Sequence, residues 1–129
     1  MDRRTISSGS VWEERYGYSR AVVAGRHVFV GGTAPQMPDD ADPPPGAYEQ
    51  AVRCLEIIRA ALAEAGATPA DVVRTRIFVT DRALVADVLR AHGETFGKTR
   101  PACTGVVVEL LDPRWLVEIE ADAILPTTP

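Results

Sequence analysis

Apolar residues along this chain are spaced first as strands, then as a helix, then as a strand, a second helix and two final strands. That order sets the folds open to it. Ala21-Val22-Val23-Ala24 and Val28-Phe29-Val30 flank the polar turn Gly25-Arg26-His27, the pattern of a β-hairpin. Gly31-Gly32-Thr33-Ala34-Pro35 breaks the strand. The acidic, proline-rich segment from Pro38 to Gly46 reads as an exposed loop too short to separate two domains. From Ala47 to Ala65 the apolar positions Ala51, Leu55, Ile58 and Leu62 recur at helical steps, and Gly66 is a natural stop. Thr68-Pro69-Ala70-Asp71 has the form of a capping box with proline at the first helical position, which predicts a single turn.

Val72 to Val79 reads as a strand, with Val73, Thr75, Ile77 and Val79 on one face and Arg74, Arg76 and Phe78 on the other. Asp81 can cap a second helix, Arg82 to Phe96, that buries Leu84, Val85, Val88 and Leu89. Strands at Cys103–Leu110 and Leu116–Leu125 close the chain around a turn at Asp112-Pro113. The order β-β-α-β-α-β-β predicts one α+β domain over residues 1–129, a mixed sheet with both helices packed on one face. A second sheet face would then lie open, so self-association is expected.

A net charge of −4 over 129 residues, with no basic cluster, argues against a nucleic-acid partner. The N-terminus Met1-Asp2-Arg3-Arg4-Thr5 lacks the apolar run of a signal peptide, and no stretch is long enough to span a bilayer. Cys54 and Cys103 fit neither a disulfide framework nor a metal site, and neither a metal nor an organic cofactor is expected. These features point to a reduced, cytoplasmic protein with no membrane partner.

Five segments carry a resemblance: Tyr18-Ser19-Arg20-Ala21-Val22, Val28-Phe29-Val30-Gly31-Gly32, Asp71-Val72-Val73-Arg74-Thr75, Arg100-Pro101-Ala102 and Val117-Glu118-Ile119-Glu120-Ala121. In this order and spacing the chain resembles the RidA/YjgF family of reactive-intermediate (enamine/imine) deaminases over nearly its whole length. The resemblance implies a chorismate-mutase-like fold, homotrimers with a central barrel of strands, and ligand clefts between subunits. Deaminating members hold the substrate carboxylate with an arginine directly after the Pro-Ala pair, where the planar fork can donate two hydrogen bonds. Here that residue is Cys103. The family position two residues later, often cysteine, is Gly105, and the helix position often filled by asparagine is Leu89.

Glu118 aligns with the family's acidic residue, and one carboxyl group can alternate between activating water and donating a proton. A solvated strand carboxylate is the plainer reading of it. Tyr18, Gly32, Cys103 and Gly105 are the other positions that the resemblance places along the cleft. Arg76 and Arg20 are candidates to supply the missing positive charge. Arg76 would reach the cleft and hold an anion or pair with Glu118, or else make a structural salt bridge. Arg20 stands where the family has glutamine and would line the cleft mouth. A nucleophilic Cys103 would need a base or cation nearby, and His92 is expected to pack in the core instead. Trp12 and Tyr16 read either as a flat wall for the ligand or as N-terminal packing. The implied function is hydrolysis or tautomerisation of a small enamine, imine or related carbonyl metabolite. The alternatives are a non-catalytic trimer that binds a small metabolite and, disfavoured by the acidic charge, an endoribonuclease.

Overall fold

In the computed structural model, which describes residues 2–127, the strands run β1 (Arg3–Ile6), β2 (Ala21–Ala24), β3 (His27–Thr33), β4 (Val72–Val79), β5 (Ala102–Val107) and β6 (Val117–Ile124). The helices are α1 (Val11–Tyr16), α2 (Ala47–Ala65) and α3 (Val85–Phe96). The six strands form one sheet in the order β1-β2-β3-β6-β4-β5, antiparallel except where β5 lies parallel to β4. This is the expected mixed α+β architecture, a chorismate-mutase-like fold with α2 and α3 on one face of the sheet.

Strand β6 runs through the middle, and its alternation is clean. Val117, Ile119, Ala121 and Ala123 are at most 1% exposed, while Glu118, Glu120 and Asp122 point to the other face. Helix α2 lays Ala51, Cys54, Leu55, Ile58 and Leu62 across β3 and β6, and Gly66 ends it at φ 87°, a left-handed cap that glycine adopts without steric cost. Helix α3 packs beside α2 and adds Val88, Ala91 and Phe96 to the same core.

Four expectations need correction. The N-terminal strand β1 and the short helix α1 were not foreseen. Arg3–Ile6 has a single apolar residue, and only pairing with β2 makes it a strand. Val73 is exposed, not inward, because the register shifts between Val72 and Arg74 where β4 pairs with β6. Leu89 is 47% exposed, because it faces the open groove between α3 and the edge strand β5. Strand β5 starts at Ala102 and ends at Val107, short of Leu110, since it has a neighbour on one side only.

Candidate functional site

The sheet's helix-free face carries Glu118 at the side of a cleft of about 390 Å³, lined also by Gly32, Phe78, Val108, Leu111 and Glu120. Strand β3 makes room for the carboxyl. Its pairing with β6 slips between Val30 and Thr33, so Gly31 and Gly32 form an irregular stretch of strand at this point. A Cβ added to Gly32 would lie 2.6 Å from Glu118 Oε2, a distance real side chains do not tolerate, so the missing side chain is what lets the carboxyl rest there. Burial raises the Glu118 pKa above the ordinary carboxylate value, the Arg20 guanidinium pulls it back, and Glu120 adds to the rise. A half-buried carboxyl beside open space can hold a proton near neutral pH more readily than a solvated one.

The two arginines are placed differently from each other. Arg76 is bonded to Glu120 (Nη1 to Oε1, 2.9 Å) and reaches Asp122 at 3.5 Å, so its ion-pair partners are these two carboxylates and not Glu118. Arg20 does not sit at the mouth of this cleft. It lies beneath the glycine pair, donates through Nη2 to the Gly32 carbonyl, and lines a separate cavity of about 410 Å³ with Ser7, Ser8, Gln36 and Arg53. Tyr18, two residues before, is half exposed.

Cys103 and Gly105 lie elsewhere. They pair in register with Thr75 and Ile77, whose side chains face the helices, so they belong to the opposite face of the sheet from Glu118. There they line a groove of about 370 Å³ between β5 and α3 with Val79, Val85, Leu89 and Val107, and Arg82 is its one charged residue. Within one chain the residues expected to share a cleft are therefore split by the sheet. His92 is bonded to Thr75 (Nε2 to Oγ1, 2.7 Å) and packs tilted against the Phe96 ring, burial holds its pKa below the ordinary value, and among the described residues no hydrogen bond joins it to Cys103. Among the described residues, His92 therefore does not serve the Cys103 thiol as a base. Trp12 and Tyr16 stack at 5.8 Å on the surface with the Arg15 guanidinium over both rings.

Sequence reasoning missed three polar residues that shape the site. Gln50 is 1% exposed within α2, and its amide bonds to Pro44 O, Arg114 O and Leu116 N, tying the proline-rich loop to the start of β6. Arg114 holds that loop from outside through Asp40, Asp42 and Asp112. Glu13 is 7% exposed and accepts hydrogen bonds from the Ser8 amide and hydroxyl. Burial raises the Glu13 pKa, but those hydrogen bonds and Arg20 outweigh it and bring it below the ordinary value. Only the Glu at the third position of a Ser-capped helix could have hinted at Glu13.

Comparison with known proteins fits this geometry. The family model described as endoribonuclease L-PSP matches residues 12–125. An uncharacterised Streptomyces coelicolor protein, SCO2049, is 39% identical over 125 residues, covering 93% of this chain and 90% of its own. The crystal structure of Rv2704 from Mycobacterium tuberculosis, a member of the YjgF/YER057c/UK114 family, superposes with a TM-score of 0.87 at 45% identity, covering 96% of this chain and all of the other. The structure of Escherichia coli TdcF with bound serine superposes with a TM-score of 0.80 at 26% identity, covering 95% and 94%.

Proposed function

The chain belongs to the RidA/YjgF family, and from that premise we propose that it acts on a small enamine, imine or related carbonyl metabolite, by hydrolysis or tautomerisation, with Glu118 as acid and base. The observation that carries this reading is the Glu118 carboxyl itself, half-buried beside Gly32 at an open cleft with a raised pKa. A protonated carboxyl there can donate to the imine nitrogen. The carboxylate left behind can then take a proton from the attacking water.

The working site forms between copies in a homotrimer. All six residues of β5 are exposed, Val106 and Val107 among them, and Leu89 adds to the same apolar edge. A strand edge and apolar surface of this kind favour association. Because Glu118 and the Cys103–Gly105 groove face opposite sides of one sheet, a neighbouring copy is needed to set one against the other.

The groove also bears on the substrate. Its lining is apolar apart from Arg82, which follows the Val79 end of β4, while Cys103 pairs with Thr75 farther back. The Cys103 position itself therefore offers a carboxylate no bidentate partner, and the Arg76 charge is already met by Glu120 and Asp122. The favoured substrate carries an uncharged apolar group where 2-imino acids carry a carboxylate. The same lining favours a second reading, a trimer that binds a small metabolite without turning it over.

Ammonia release in a coupled assay tests the proposal, with 2-imino acids and uncharged imines each generated in situ. Turnover of the uncharged set, lost in Glu118→Gln, is the expected result. Binding without turnover in both proteins would support the second reading.

A further inference from the structure

Two charged side chains from separate parts of the chain, Glu13 and Arg20, lead up to Glu118. Glu13 on α1 is buried and held by Ser8. Arg20, just ahead of β2, is partly buried, and the Glu13 and Glu118 side chains are the two carboxylates whose charges oppose the lowering of its pKa by burial. Its guanidinium passes under the glycine pair of β3, where a Cβ on Gly31 would sit 3.3 Å from Nη2 and a Cβ on Gly32 would collide with Glu118. Two adjacent glycines thus let an arginine approach the strand near Gly31 and a glutamate near Gly32.

The irregular pairing explains what Arg20 does there. Where β3 slips against β6, the Gly31 and Gly32 carbonyls are met by side chains. The Thr33 hydroxyl donates to Gly31 O at 2.8 Å, and Arg20 Nη2 donates to Gly32 O. The Gly31 amide in turn donates to the Arg20 carbonyl at 3.0 Å. Arg20 Nε is buried and has no hydrogen-bond partner among the described residues, an unusual cost for a guanidinium that only braced a turn.

We propose that Arg20 is a positioning residue for Glu118: it fixes the Gly31–Gly32 stretch on which the carboxyl rests and supplies the opposing charge beside it, with Glu13 held behind as its counter-ion. The proposal rests on the reading of Glu118 as acid and base. It adds a charge line from α1 to β6 that sets when this carboxyl is protonated. The other groups facing Glu118 are Glu120 on its own strand and Glu109 across the cleft, while the Cys54 thiol of α2, buried on the other side of β6, is pushed up by burial and kept neutral. Arg76 on β4 is bonded to Glu120 and offsets its charge. Arg20 is therefore the cation that pulls the Glu118 titration down, against the rise from burial.

The test is carboxyl NMR of the full chain carrying carbon-13 at glutamate carboxyls, with the Glu118 signal assigned by its loss in Glu118→Gln. In Arg20→Gln the Glu118 titration midpoint should move to higher pH, and Arg20→Lys should bring it part of the way back. A midpoint in folded Arg20→Gln that stays put or falls would overturn the proposal. If Arg20→Gln does not fold, Glu13→Gln decides. Removing that counter-ion leaves more of the Arg20 field for Glu118, so the midpoint should fall, and an unchanged midpoint overturns the idea. These readings need no substrate. A failure of Glu118 in catalysis would show only as unchanged turnover in Glu118→Gln, so the two claims fail separately.

Discussion

Strands β5 and β6 flank the same strand, β4, yet they do opposite work. Strand β6 has neighbours on both sides, and alternate residues along it are sealed under α2. Strand β5 has one neighbour, runs parallel to it, and leaves all six residues exposed. The difference follows from position in the sheet as well as from composition, since β5 carries Val106 and Val107 and still leaves them exposed, while β6 seals Val117, Ile119, Ala121 and Ala123. A central strand turns its apolar residues into stability. An edge strand holds them as surface that another chain can cover.

The largest effect that would break this contrast is on the buried side of β6. Ile119→Ala should cost about 3 kcal/mol of stability in urea unfolding, while Val106→Ala in β5 costs less than about 1 kcal/mol. Equal losses would mean that β5 is as much a part of the single-chain core as β6. Next comes the tether at the start of β6. Gln50→Leu removes three hydrogen bonds and strands the Leu116 amide, so a loss of about 2 kcal/mol is expected, again by urea unfolding.

Smaller changes probe the polar face of β6. Gly32→Ala should cost less than about 1 kcal/mol, because the clash is with the far end of a flexible side chain. The same variant pushes the Glu118 carboxyl toward solvent, so its NMR titration midpoint should drop toward the ordinary value; no shift would show that the glycine does not shape the site. The smallest effect is on stability against pH. Burial raises the Glu118 pKa in the folded chain, so its contribution is favourable in acid and is lost as pH rises through that value. Glu118→Gln should therefore be more stable than the parent at pH 7, with the advantage vanishing toward pH 4. A variant less stable at pH 7 would contradict the desolvation account.

The contrast also explains what could be read from the sequence. Repeating patterns were legible: the hairpin of Ala21–Ala24 and Val28–Val30, the apolar stripe of α2, the Thr68–Asp71 capping box and the alternation of β6 all appear, although β3 runs on to Thr33 through the glycine pair that was expected to break it. Residues whose place depends on distant partners were not. Val73 reads as inward by alternation, but the register shift after Val72 turns it out. Strand β1 exists because β2 pairs with it. The candidate site residues could be named through the family resemblance, but their arrangement could not. Glu118 and Arg20 are brought together by Gly31 and Gly32, while Cys103 is sent to the other face by its register with Thr75.

The central claim is that the site is complete only when one chain's β6 meets another chain's β5 edge. Sedimentation equilibrium at micromolar concentration tests it most directly. The account predicts a single species of three chain masses, which Val107→Asp at the β5 edge shifts toward monomer. A parent chain that sediments as a clean monomer while turning over an imine would contradict it.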